Sequence, residues 1–273
     1  MTFLAILIAV FFYRNWFGEN PVQKLAPFPR YLSWFIDRNL ATHVRYFLCV
    51  GLPALLVLVL MAMVGDWLLG LVGLAISLLV LIYAIELFQA DSIFGQEIVD
   101  LRSISDQAEL ADVVQRQEDF IVLNIYEMFQ SIVPVLFWFL LAGPAAALFY
   151  ALSIKYLDCL DQDDPEVDLV EQFVYWLEWL PMRITGLLFA FVGNFGTCFD
   201  YWLRELTDTQ ESQAVHLATM AQISVAEFAK PDSESTVGFA RFAESSLHEL
   251  RSLCDRALFG WLGIAAIVTI AGW

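Results

Sequence analysis

One stretch limits what this chain can become: residues 124–150, NIYEMFQSIVPVLFWFLLAGPAAALFY. Its apolar run, 132–151, is long enough to be embedded in a membrane. Pro134 stands near the start of that run, and Gly143 and Pro144 stand in its middle. A Gly–Pro pair frees backbone groups that hydrocarbon cannot satisfy, so a break at that depth has to meet protein or a water-filled cavity. Asn124, Glu127 and Gln130 crowd the approach to the run, and Tyr150 stands at its exit, ahead of Lys155. Two readings follow. The stretch is the wall of a polar site, or it is a kinked membrane helix whose Gly and Pro have no chemical role, both residues being common in such helices.

The composition supports the membrane half of that reading. Of 273 residues, 59% are hydrophobic, and the mean hydropathy is +0.65, which is an integral-membrane composition rather than a soluble one. Only 16% of residues are charged, yet the formal net charge is −17, so the acids concentrate in a few loops. An acidic surface argues against nucleic acid as a partner, because phosphate backbones need clustered Lys and Arg. There is no polybasic arm for anionic lipid either. Cys49, Cys159, Cys198 and Cys254 form no CxxC pair, and His43, His216 and His248 are scattered. Free thiols or small apolar fillers are expected, with no disulfide framework and no metal site. The chain starts apolar at once, without a basic n-region or a small-residue cleavage site, which reads as a retained anchor.

In chain order, residues 1–13 are apolar and aromatic, closed by Arg14 and Trp16, and a tilted or thinned bilayer accommodates so short a segment. A proline-bearing loop, 18–29, leads to 31–46, an amphipathic interfacial helix with Tyr31, Trp34, Phe35, Arg38 and Arg45. Two apolar runs, 47–64 and 67–85, are joined by Gly65 and Asp66 as a helical hairpin that ends at Glu86. The acidic stretch 90–123 contains a helical pattern over 108–126, with Leu110, Val113, Val114, Phe120 and Ile121 on one face, feeding into the broken run. Beyond the run come Asp158, Asp161, Asp163, Asp164, Glu166 and Asp168. The spacing DCLDQDDPEVD lacks the glycine and distal glutamate of a calcium loop, so a solvated acidic loop is expected. Residues 169–180 are helical and aromatic, and Pro181 is expected to end them. The run 184–203, interrupted by Gly186, Gly193, Asn194, Gly196 and Asp200, spans or lies in the interface. Two amphipathic helices, 207–229 and 234–256, flank Lys230 and Pro231, and 258–273 is a last apolar run.

Charge counting orients these runs. Positive residues near membrane ends stay in the cytoplasm. Arg14, Lys24, Arg30, Arg38 and Arg45 fall in one connecting segment, whereas Gly65 and Asp66 bring no positive charge. The first three runs then go out–in, in–out and out–in. Arg251 and Arg256 put the start of the last run inside as well. Between residues 90 and 256 the chain crosses an even number of times, so 132–151 and 184–203 both cross or neither does. In the first case the loop 154–183 lies outside; in the second both runs are re-entrant or in-plane.

Several polar residues stand out as ligand-binding candidates, each with a plainer reading beside it. Asn124 and Glu127 are nearly a helical turn apart and share a face, for substrate contact or for helix packing. Glu86 ends an apolar run, where an acid near membrane depth suggests function, although an end position is also cheap. Tyr150 closes the broken run. Glu178 precedes Arg183 by five residues, as an ion-pair partner or as a base or metal ligand. Arg183 can clamp a phosphate or carboxylate with its planar fork, or snorkel to head groups. Phe137, Trp138 and Phe139 read as lipid or core contacts rather than a cofactor box.

Two segments together carry a family resemblance. VLFWFLLAGPAAALFY, and LEWLPMRITG at 177–186 followed by LLFAFVG, resemble in order and spacing the AmpE family of bacterial inner-membrane proteins. That family is similar in turn to the cobinamide-phosphate synthases of the CobD/CbiB type, membrane enzymes that join an amino-alcohol to a cobyric acid carboxyl with ATP. The shared pattern falls on Pro134, Phe137, Trp138, Gly143, Tyr150 and the element Pro181, Met182, Arg183. The synthases carry acids about two turns before their Pro-x-Arg, where this chain has Val174 and Tyr175, and no phosphate-cradling glycine loop is present. The fold is therefore expected to be kept and the reaction lost or changed.

The resulting expectation is an all-α polytopic membrane protein. It has four to six embedded helices, re-entry remaining open at 132–151 and 184–203, in one membrane domain over 1–273. Segments 91–130 and 204–256 are its helical cytoplasmic loops. The resemblance implies a multi-pass protein of the bacterial inner membrane. It implies a modulator of signalling, linked to β-lactamase induction and peptidoglycan recycling, to which the broken run with its polar ends adds an embedded polar pocket. A non-enzymatic role is favoured, and no cofactor or metal is expected. The alternative is a membrane amide-bond synthetase or transferase, which alone would need ATP and Mg²⁺. The expected partners are the lipid bilayer, a protein on the acidic cytoplasmic loops, and further copies of the chain.

Overall fold

A computed structural model describes residues 2–15, 31, 34–35, 42–64, 70–86, 110–160, 164, 166–206, 212–225 and 236–271. Among these the regular structure is entirely helical, with no strand. The segments 18–29, 65–66, 87–109, 207–211 and 230–231, about which the sequence makes expectations, lie outside the described residues.

The elements are α1 (Thr2–Asn15), α2 (Thr42–Tyr46), α3 (Leu52–Val64), α4 (Leu71–Glu86), α5 (Leu110–Ala142), α6 (Pro144–Asp158), α7 (Val167–Val192), α8 (Phe195–Glu205), α9 (Gln213–Ser224) and α10 (Thr236–Ile270). A π-helical turn, Phe47–Gly51, joins α2 to α3. Its cause is local. Pro53 has no amide to give, and the amide of Leu52 donates five residues back, to the Phe47 carbonyl, so the helix widens by one residue there and stays continuous.

Three helices are long and apolar enough to cross a membrane among the described residues: His43–Val64, Ile121–Ala142 and Ser246–Ile270. Thr2–Phe12 and Leu71–Ile85 are apolar but shorter. Leu55, Leu56, Leu58 and Leu60 on α3 are exposed, a surface that suits a helix long and apolar enough to cross a membrane.

The run 132–151 is not one helix. α5 ends at Ala142, and α6 starts at Pro144. Gly143 between them has φ 83° and ψ −172°, a region essentially closed to residues with a side chain. Pro144 takes the first helical position, where its missing amide costs nothing. The helix long enough to span therefore begins upstream, in the amphipathic segment, and stops at the glycine.

Other boundaries also differ from the sequence expectation. Pro181 does not end a helix: α7 runs through it from Val167 to Val192. Run 184–203 is likewise divided, at Gly193 and Asn194, into the end of α7 and α8. The segments 234–256 and 258–273 merge into the 35-residue α10.

The chain forms two compact units. The first comprises Met1–Gln89, Gln130–Glu178 and Leu262–Trp273. In it α1 packs on α4, and α6 packs on α3, α4 and the π-helical turn. Tyr150, Leu152 and Tyr156 of α6 are fully buried there. The second unit comprises Ala90–Phe129 and Trp179–Trp261, with α8 packed on α9.

Candidate functional site

In the first unit, one acid is withdrawn entirely from solvent. Glu178 is 0% exposed. Its Oε1 accepts the Tyr150 hydroxyl at 2.7 Å and the Gln130 amide Nε2 at 2.8 Å. A buried carboxyl without donors would carry a desolvation penalty of several kcal/mol, and two converging donors offset it. The fold that permits this is built at Gly143. Gln130 and Tyr150 are twenty residues apart, which straight helix would separate by about 30 Å. They meet at one oxygen, so the chain folds back between α5 and α6. The glycine and proline that mark the run in the sequence are thus the corner of the cluster.

Trp138 completes the arrangement. A proline inside a helix cannot serve the carbonyl four residues before it, and for Pro181 that carbonyl is Leu177. The Trp138 indole donates to Leu177 O at 3.1 Å. α7 continues through Pro181 with this carbonyl satisfied from α5. Thr185 Oγ1 in turn donates to the Pro181 carbonyl at 2.8 Å.

At one end of the same unit, Arg45 gathers the acids that follow α6. Its Nη2 lies 2.7 Å from Asp164 Oδ2 and 3.0 Å from Glu166 Oε1, and its Nε donates to Glu166 at 3.1 Å and to the Tyr156 hydroxyl at 3.0 Å. The Tyr156 hydroxyl donates to Glu166 Oε2. Tyr46 shares a hydrogen bond of 2.8 Å with Ser153 beside this group. Glu166 is only 1% exposed. The expectation of a solvated acidic loop is corrected at these two acids, because a guanidinium 119 to 121 positions away neutralises them. Burial alone would raise the Asp164 carboxyl, but the Glu166 amide and the Arg45 guanidinium hold it below the usual carboxylate range. Among the described residues, no three His, Cys, Asp or Glu side chains are grouped to hold a metal ion. The four cysteines are free, with Cys159 exposed and the others buried.

The second unit centres on a base. Arg183 is buried, and its Nη1 lies 2.6 Å from His216 Nε2. A guanidinium only donates, so Nε2 accepts and the ring proton sits on Nδ1. The Tyr201 ring stacks on the imidazole at 5.6 Å, and the guanidinium carbon lies 5.8 Å over the Trp179 ring. Trp202 Nε1 donates to the Arg183 carbonyl at 2.8 Å.

Of the residues singled out in the sequence, Tyr150 and Glu178 are therefore brought together in the first unit. Glu86, also in that unit, is the last residue of α4. Asn124, buried, and Glu127, half-buried, lie on the α5 portion of the second unit, as Arg183 does on its α7 portion. Sequence reasoning missed Arg45, Glu166 and His216 as members of polar clusters. Gln130 was noticed only as a polar neighbour.

Residues 88–246, more than half of the chain, match the family described as regulatory signalling modulator protein AmpE. The chain belongs to the AmpE family. No curated protein and no solved structure matches it. The AmpE match covers the corner at Gly143, the Glu178 cluster and the Arg183–His216 pair alike.

Proposed function

We propose that this AmpE protein is a multi-pass regulatory protein of the bacterial inner membrane, acting in the signalling that links peptidoglycan recycling to β-lactamase induction. We place its ligand-sensing pocket at Glu178, Tyr150 and Gln130. The observation that carries this reading is the Glu178 carboxyl, removed from solvent and held by neutral donors from two other helices. Neutral donors are exchangeable. A small ligand bearing a hydroxyl or an amine can take the place of the Gln130 amide on Oε1, and doing so removes one of the hydrogen bonds that tie α5 to α7, leaving the bond from Trp138 to the Leu177 carbonyl. Ligand occupancy then becomes a change in helix packing, which is what a modulator needs. No cofactor is required for such an exchange. Glu86 is a further candidate contact in the first unit; Asn124, Glu127 and Arg183 with His216 are separate candidates in the second unit, the guanidinium being suited to a phosphate or carboxylate. The acidic cytoplasmic loops offer a surface for a protein partner or a second copy.

The test is a pair of near-isosteric changes, Glu178→Gln and Tyr150→Phe, in a host whose β-lactamase is inducible. Membrane-fraction levels are measured alongside induction. The expected result is lost or blunted induction at unchanged protein level. Full induction with both variants present in the membrane removes the pocket from the mechanism.

A further inference from the structure

We infer that α8 is a boundary helix, which presses an aromatic edge into the lipid bilayer while its opposite edge stays in water. The helix is packed on one side only. Cys198 is buried, accepts from Ser224 Oγ at 3.0 Å and donates to the Met220 carbonyl at 3.7 Å, and Trp202 reaches the Arg183 carbonyl. With Phe195 at zero and about 100° per residue, Cys198 and Trp202 fall at roughly 300° and 340°. The exposed arc is the other half of the wheel, and it has two chemistries. Phe195, Phe199 and Leu203 occupy roughly 0° to 80°, and Asp200, Arg204 and Thr197 occupy roughly 140° to 200°.

Phe195 is 46% and Leu203 51% exposed, and Phe191, just before the corner, is 64% exposed. The rings form a ladder: Phe191 to Phe195 at 5.4 Å, Phe195 to Phe199 at 4.9 Å, Phe199 to Trp202 at 5.8 Å. A helix surrounded by lipid is apolar over its whole free arc, and a helix in water is polar over it. An arc that changes from aromatic to charged within about 100° fits the plane between the two.

The start of α8 is level with a membrane boundary on independent grounds. Arg256 is the last charged residue before the apolar end of α10. Its Nη1 donates to the Val192 carbonyl at 2.9 Å. Further along, Gly260 lies against Leu188, and Trp261 Nε1 donates to Thr185 Oγ1 at 3.1 Å. α10 and the end of α7 therefore run side by side in opposite directions, and the corner at Gly193 and Asn194 sits where α10 leaves the polar region. Phe259 of α10, in the candidate span Ser246–Ile270, is exposed as well. The occupant of this edge is the bilayer itself, through the ring chemistry that favours the head-group level.

The experiment uses the full chain in vesicles of phosphatidylethanolamine and phosphatidylglycerol, with Cys159→Ser to silence the exposed thiol. Spin labels are placed singly through Phe195→Cys, Leu203→Cys, Asp200→Cys and Arg204→Cys. Relaxation by oxygen, which partitions into lipid, is compared with relaxation by a water-soluble nickel complex. The expected oxygen-to-nickel ratio is several-fold higher at 195 and 203 than at 200 and 204. A uniformly high ratio means that α8 is immersed in lipid, and a uniformly low one means that it is free in water. Exclusion of both reagents from 195 and 203 means that protein covers the edge, a second copy included. Each of these three results overturns the inference. Should Phe195→Cys fail to fold, Phe191→Cys and Leu203→Cys report the same edge, and the same ratio decides.

Discussion

Glu166 and Glu178 are both buried glutamates of the first unit, 1% and 0% exposed, and they are held in different ways. Glu166 lies against a guanidinium and a phenol, with Asp164 sharing the same cation. Glu178 accepts from a phenol and a carboxamide. Opposite charge makes the first a fastening: neither partner can leave without stranding a charge in a poorly solvated place. Neutral donors make the second adjustable, since any hydroxyl or amine of similar reach satisfies the same oxygen. The contrast separates a cluster that keeps the fold from one that can read a ligand.

The sharpest way to break that contrast is to remove the cation. Arg45→Ala leaves Asp164 and Glu166 facing each other, and the expected loss is about 3 kcal/mol, the lower end of what breaking a buried pair costs because Asp164 is partly solvated. Glu178→Gln keeps the shape and the Tyr150 hydrogen bond through its carbonyl oxygen, and about 1 kcal/mol is expected there. Thermal unfolding of both variants in one detergent measures the gap. Equal losses would mean that the two glutamates are held alike, and the division into fastening and sensor would fail.

Legibility in the sequence follows the same line. Gly143 and Pro144 in an apolar run marked the corner, because only backbone chemistry is needed to see it. Glu178 and Tyr150 were visible as polar residues in apolar company, although nothing local said that they touch across 28 positions. Helical content was legible from periodicity and hydropathy, whereas the membrane-length runs were legible only in part: three helices among the described residues are long and apolar enough to cross, and the runs 132–151 and 184–203 are each divided. Glu166 was not legible, because a run of acids looks solvated until its counter-ion is known, and that counter-ion is 121 positions away. Pro181 was misread as a stop for a related reason: the group that satisfies the freed Leu177 carbonyl is Trp138, 39 positions upstream. His216 was passed over as a scattered histidine, since its partner Arg183 stands 33 positions before it. In each case the missing knowledge was a long-range partner.

A second test bears on the sensor alone. The corner at Gly143 brings Gln130 and Tyr150 to one oxygen, and the Arg45 cluster does not depend on that convergence. An added Cβ meets no neighbour there, so any cost of Gly143→Ala is backbone strain at φ 83°, about 2 kcal/mol. Combining it with Tyr150→Phe should give less than the sum of the two losses, because a displaced corner has already weakened the hydrogen bond. Combining it with Arg45→Ala should give the full sum. Additivity in both pairs would uncouple the corner from Glu178.

The smallest effect expected is one of pH, and it belongs to the fastening. Asp164 has a carboxyl held below its ordinary value by the Glu166 amide and Arg45, against the opposing pull of burial. A depressed folded value means that the unfolded chain takes up the proton first. The stabilisation is complete above the unfolded value of about 4 and is lost as the pH falls from there through the lower folded value. Between pH 7 and 5 the contribution should stay flat. Asp164 is partly exposed, so screening keeps the contribution modest, and salt should reduce it further. Thermal midpoints of the native chain and of Asp164→Asn, taken from pH 7 down to pH 3, should converge at the acid end as the native carboxyl becomes neutral. Curves that stay parallel over that range would show that the charge on Asp164 does not help Arg45 to hold the end of α6.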